Sequence, residues 1–139
     1  MQFIDLHQQY LTIKSEIDLA ISGVIAKSSF IGGAHVKTFE EEYARLLGVK
    51  HCVSCANGTD ALYLALRTMG IQKDDEVITT AHSWISTSET ITQAGGKVVF
   101  CDTEPDYFCI DPEKIEQHIT FRTKGIVVVH LYGQPANMK

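Results

Sequence analysis

Asn57-Gly58-Thr59 is the stretch of this chain best equipped to hold an anion. It follows a β-branched and apolar run, residues 49–55, with strand character. After it, Leu62, Leu64, Ala65, Leu66 and Met69 recur at helical spacing with no proline among them. A strand, a one-glycine turn and a helix opening near Thr59 would place unpaired backbone N–H groups and the positive end of the helix dipole at one point, which suits a phosphate. Gly58 brings no Cβ, so an anion can approach the backbone, and Thr59 adds a hydroxyl donor. The same residues also read as an ordinary strand-to-helix turn capped by Asn57 or Thr59. Neither G-x-G-x-x-G nor a Gly-Lys-Ser/Thr loop is present, so a phosphate held here belongs to something smaller than a dinucleotide or triphosphate.

Trp84 is the only tryptophan, and it lies among polar residues just past a predicted strand. There its ring could stack on a flat heteroaromatic ligand; a core tryptophan is the plainer alternative. His130 ends a strongly apolar run, either as a hydrogen-bonded structural histidine or as a group at the same sheet edge. Cys52 and Cys55 make a C-x-x-C inside the strand predicted for residues 49–55. Residues three apart on a strand face opposite sides, and Cys101 and Cys109 supply no second pair, so buried free thiols are expected and no metal site.

The elements that must position these groups alternate. Helices are predicted from Leu6 to about Lys27 and from about His35 to Leu47, the second with Val36, Phe39, Tyr43 and Leu46 on its inner face. A flexible loop, Phe30-Ile31-Gly32-Gly33, lies between them. Strands follow at Glu76 to Thr79, Lys97 to Cys101 and Gly125 to Leu131, the last with Val127, Val128 and Val129 buried on both faces. Helices intervene from about Ser86 to Ala94 and from Pro112, capped by Asp111, to about Ile119. This order predicts an α/β fold, a mostly parallel sheet with helices on both faces, whose ligands sit beyond the carboxyl ends of the strands. Residues 1–48 form the helices and loop, and 49–139 the start of the sheet.

A net charge of −5 without a basic cluster argues against nucleic acid and anionic membranes as partners. No apolar run approaches the ~20 residues of a membrane span, and Asp5 interrupts any signal peptide, so a cytoplasmic protein is expected.

The segments FIDLHQQY, FIGG, VSCANGTDALYLAL, DEVITTAHSWISTSETI and VVVHLYGQPANM resemble the DegT/StrS family of nucleotide-sugar aminotransferases, in order and over all 139 residues. The resemblance implies the N-terminal portion of the large domain of a fold-type I, pyridoxal-phosphate-dependent transferase. It implies that Gly58 and Thr59, with Asn57 beside them, bind the cofactor phosphate and that Trp84 stacks on the pyridine ring. Phe30, Ile31 and Gly33 would lie near the sugar, with His130 as a further candidate. The reaction implied moves an amino group from an amino acid, commonly glutamate, to a keto carbon of a nucleotide-linked hexose, in deoxyaminosugar biosynthesis. Homodimers are implied as well.

The family's Schiff-base lysine and the acidic partner of the pyridine nitrogen lie downstream of Lys139 in this alignment of motifs, so no catalytic residue is assigned within the chain. The chain therefore reads as the N-terminal part of a longer protein, inactive alone. Two alternatives stay open: a pyridoxal-phosphate-dependent sugar dehydratase of the same family, with histidine in place of the lysine, and a non-catalytic binding or regulatory domain.

Overall fold

Every residue of β1, Glu76–Thr80, is buried, and this strand takes the centre of a three-stranded parallel sheet ordered β2-β1-β3. β2 is Lys97–Cys101 and β3 is Thr123–Ile126. The computed structural model describes residues 3–139, which divide between Ser54 and Cys55 into two units.

In the second unit the side-chain alternation of β1 builds a core on each face of the sheet. Val77 joins Leu66, Ile71, Ile91 and Ala94, under α3 (Gly58–Thr68) and α4 (Ser86–Gln93). Ile78 joins Cys101 and Ile110 on the other face, packed by Ile115 of the short helix α5 (Pro112–Ile115). The mostly parallel sheet with helices on both faces is therefore the observed architecture. At Gly96 the backbone passes so close to the core that a Cβ would stand 2.9 Å from Ile71 Cγ2.

The amino-terminal edge of the sheet is pinned by one carboxylate. Glu76 accepts from Thr120 Oγ1 at 2.6 Å and from Arg122 Nε and Nη2 at 3.1 and 2.9 Å, while its N–H donates to the Arg122 carbonyl at 2.8 Å. These donors hold its carboxyl below the usual glutamate range. The β1–β3 register shifts beside it, between Glu76 and Val77.

The first unit holds α1 (Leu6–Ala26), capped by Asp5 and non-helical at Ile13, and α2 (Ala34–Leu47). Of the inner face expected on α2, Val36, Phe39, Tyr43 and Leu46 are exposed, and Ala44 is the buried residue of that helix. Two helices and a loop do not have the mass to enclose a core of their own.

Five other expectations are corrected. Residues 49–55 pair with no strand among the described residues; the Ser54 N–H instead donates to Glu40 Oε1 at 2.7 Å. Without a neighbouring strand, β-forming side chains make no ladder. The strand expected from Gly125 to Leu131 begins earlier and ends at Ile126; past it the Val127 N–H still reaches Ile78 O, but the Val127 carbonyl accepts from the Thr79 hydroxyl at 2.9 Å instead of from a ladder N–H. Val127, Val128 and Val129 are consequently half-buried, not buried on both faces. The helix from Pro112 tightens into a 3-10 turn, Glu116–His118, and among the cysteines only Cys101 and Cys109 are buried, Cys52 being half-buried and Cys55 exposed.

Candidate functional site

Two helix starts converge at the carboxyl edge of β1 for a topological reason. α3 runs toward the start of β1 and α4 leaves from its end, so both helices run antiparallel to the strand on one face of the sheet. Both therefore open at the same edge.

At α3, Asn57 is extended and its Oδ1 accepts the Asp60 N–H at 2.9 Å, while its carbonyl accepts Ala61 N–H at 3.1 Å. Its Nδ2 donates to Asp60 Oδ2 at 3.1 Å, which occupies the one acidic group of the first turn. Asn57 is thus the N-cap, and its side chain is committed to the turn. The N–H groups of Gly58 and Thr59 have no acceptor among the described residues. A Cβ on Gly58 would meet nothing within 4 Å, so the approach to these donors is open.

Thr59 Oγ1 lies 2.8 Å from Ser86 Oγ, and Ser86 is buried at the first position of α4. Ser83 Oγ and Thr87 Oγ1 lie 2.8 Å apart, and the Thr87 N–H donates to the Trp84 carbonyl at 3.0 Å. α4 has no side-chain cap; the Ser88 N–H closes on the Ile85 carbonyl at 3.1 Å, and of its opening N–H groups that of Ser86 has no acceptor among the described residues. Between the two starts lies an open cleft of about 650 Å³ lined by Gly58, Thr59, Ala61, Leu62, Trp84, Ser86 and Thr87. Trp84 is 79 % exposed and contributes a planar wall to it.

The structure thus brings together Asn57, Gly58, Thr59 and Trp84. It adds Ser86, which sequence reasoning missed; the hydroxyl-rich run from Ser83 to Thr87 was the available signal. His130, also at this edge, is exposed, and its Nδ1 accepts the Ala136 N–H at 3.0 Å, a structural bond that folds the segment after β3 back on itself. Phe30, Ile31 and Gly33 belong to the first unit: Ile31 is almost fully exposed, and Gly33 opens α2 at φ 104°. Phe30 lines an apolar crevice there with Ala20, Ile21, Val24, Ile25 and His35.

Neutral donors of this kind fit a phosphate monoester, and the indole beside them fits a planar ring. No lysine lines the cleft. Among the described residues no three His, Cys, Asp or Glu side chains are grouped to hold a metal ion, and no helix is long and apolar enough to cross a membrane.

Comparison with known proteins supplies the family. A protein from Pseudomonas aeruginosa, UDP-2-acetamido-2-deoxy-3-oxo-D-glucuronate aminotransferase, is 42 % identical over 137 residues, covering 99 % of this chain and 38 % of its own. The crystal structure of S. venezuelae DesV superposes with a TM-score of 0.94 at 36 % identity, over 99 % of this chain and 37 % of that one. The E. coli GDP-4-keto-6-deoxy-D-mannose-3-dehydratase with bound hydrated PLP superposes at 0.79 and 32 % identity, over 85 % and 32 %. The chain spans somewhat over a third of the length of the curated relatives it matches, 37 % or 38 % for the first of them. The profile of the DegT/DnrJ/EryC1/StrS aminotransferase family matches residues 11–139, and the chain belongs to that family.

Proposed function

We propose that this chain supplies the cofactor-phosphate and ring-stacking half of the site of a pyridoxal-phosphate-dependent sugar aminotransferase. The substrate pair is an amino acid, with glutamate as the expected donor, and a nucleotide-linked keto-sugar. One observation carries the reading: unpaired N–H groups of Gly58 and Thr59 lie beside the exposed Trp84 ring in one cleft.

In this reading the Gly58 and Thr59 amides and the Thr59 hydroxyl bind the phosphate, at the positive end of the α3 dipole. Ser86 orients the Thr59 hydroxyl across 2.8 Å. Asn57 acts indirectly, by holding the turn that aims the amides. Trp84 covers one face of the pyridine ring and excludes water from it. The bound cofactor itself supplies the electron sink for amino-group transfer. Phe30, Ile31 and Gly33 are assigned to the sugar side of the site, His130 is kept as a further sugar-side candidate alongside its structural bond, and the working protein is assigned as a cytoplasmic homodimer. The match to the E. coli dehydratase favours a second reading, a dehydratase built on the same cup, since the residue separating the two chemistries lies outside the matched motifs.

The test is cofactor binding by Thr59→Ala and Trp84→Ala variants. The first is expected to weaken pyridoxal-phosphate binding and the second to shift the absorption spectrum of the bound cofactor. If both variants bind and absorb like the parent, these residues do not form the cup.

A further inference from the structure

Trp84 projects from the loop that follows β1, and among the described residues no other ring packs on it. What the structure holds is therefore the backbone that carries the ring, and two residues earlier that backbone bears a side chain with ring contacts of its own. The His82 ring meets the edges of two aromatic rings, Phe108 and Tyr132, each at 6.0 Å between centroids and at 73° and 76°. Tyr132 Oη also lies 3.4 Å from His82 Nε2, a long hydrogen bond. The His82 N–H donates to Thr80 Oγ1 at 2.9 Å, which anchors the residue to the end of β1.

The two flanking aromatics come from different loops, Phe108 after β2 and Tyr132 after β3. Those loops are tied to each other independently, since the buried Cys109 directs its thiol to Gln134 O at 3.5 Å. Phe108 and Tyr132 both have left-handed backbones, at φ 61° and 55°, a conformation that side chains with a Cβ rarely adopt. Strain of this kind persists where surrounding structure fixes it, and it gathers at working sites.

We propose that His82, clasped between Phe108 and Tyr132, is a positioning residue that holds the loop after β1 and so sets the Trp84 ring over the cofactor. This rests on the reading of Trp84 as the stacking residue. The clasp joins the exit loops of all three strands, so the loop that carries Trp84 keeps its place at this edge. Ser83, between the two residues, is held by its own bond to Thr87, which leaves little freedom for the backbone of Trp84 once His82 is held. The clasp lies on the ring side of the site and touches none of the phosphate donors, so the two functions separate.

Because Trp84 is the only tryptophan, its fluorescence reports on this loop alone. The experiment compares the 139-residue chain with His82→Asn, Phe108→Leu and Tyr132→Phe, after far-UV circular dichroism has confirmed the fold of each. In His82→Asn and Phe108→Leu the steady-state anisotropy of Trp84 is expected to fall without any ligand. The dissociation constant for pyridoxal phosphate, read by quenching, is expected to rise about twofold to tenfold, the value of one well-placed aromatic contact. The dissociation constant for inorganic phosphate is expected to stay unchanged. Tyr132→Phe keeps the ring and loses the hydroxyl, so a smaller loss is expected; this variant carries the test if His82→Asn does not fold. Parental anisotropy in the variants overturns the clasp, and so does an equal loss of phosphate affinity. If the parent itself shows no quenching by pyridoxal phosphate, the reading of Trp84 as the stacking residue fails, and the anisotropy comparison still decides whether His82 holds the loop.

Discussion

Replacing Thr59 by alanine removes one hydroxyl from a site that otherwise offers backbone amides, so its effect can be sized. A hydrogen bond to a charged acceptor contributes about 1.5–3 kcal/mol net, which corresponds to a loss of about tenfold to 150-fold in affinity. Two features of the structure move the expectation toward the lower end. The cleft is open, so water can replace the missing donor, and the Gly58 and Thr59 amides remain. Against this, the Thr59 hydroxyl is already oriented by Ser86 at 2.8 Å, so little ordering is needed when an anion arrives. A loss of about ten- to thirtyfold is expected for pyridoxal phosphate. The assay is parallel titration of parent and variant with pyridoxal phosphate and with unphosphorylated pyridoxal. The loss must fall on the phosphorylated ligand. Equal loss on both, or none on either, would show that the hydroxyl does not face the phosphate.

Three further substitutions probe the scaffold. Asn57→Ala removes the α3 cap that accepts the Asp60 N–H, and is expected to cost about 1 kcal/mol of stability, read as a lower urea midpoint at unchanged m-value. Gly96→Ala places a methyl 2.9 Å from Ile71 Cγ2 and 3.3 Å from both Asp75 O and Ile91 Cγ2, so about 1–3 kcal/mol of overpacking is expected by the same measurement. Glu76 has its carboxyl held below the ordinary range by Thr120 and Arg122, so its contribution is present above the ordinary glutamate value and disappears as pH falls through the lowered one. Urea midpoints of the parent and of Glu76→Gln should therefore differ at neutral pH and converge in acid; a constant difference across that range would refute the clamp.

What the sequence could show divides by distance along the chain. β2 is found where its apolar run predicted it, β1 extends one residue further, and α3 opens at the glycine of the predicted turn. These are local events, set by propensity and by side chains a few residues apart. The failed strand at residues 49–55 has suitable residue types, yet Val53 is 81 % exposed, since a strand needs an edge to pair with and no local pattern names one. β3 failed in its limits alone: it meets β1 from Thr123 through a register shift, and past Ile126 a threonine side chain from β1 takes the Val127 carbonyl, neither of which a local apolar run displays. Of the cleft's lining, Gly58, Thr59 and Trp84 were readable as candidates from a glycine turn and an indole among polar residues. The Thr59–Ser86 bond crosses 27 residues and the His82–Tyr132 bond crosses 50, and neither has a spacing that a sequence displays.

The direction of α3 and α4 relative to β1 shows how an acidic chain would hold the anion assigned to it under the proposed function. With a net charge of −5, long-range attraction to phosphate is absent, and no lysine or arginine lines the cleft. The favourable field must come from close range, where helix openings present N–H groups whose partial charges need no counterion. One opening would be weak, because the dipole effect fades within the first turn and is screened by salt. Two helices antiparallel to the same strand place a second opening beside the first, and the 2.8 Å hydroxyl pair between Thr59 and Ser86 keeps the two in register. The hydrophobic cluster of Leu66, Ile91, Ala94 and Val77 fixes the helices against the sheet, so the core that stabilises the fold also sets the spacing of the donors. A substitution that let α4 slide on this cluster would separate Ser86 from Thr59 and weaken the cup without touching a single group that faces the ligand.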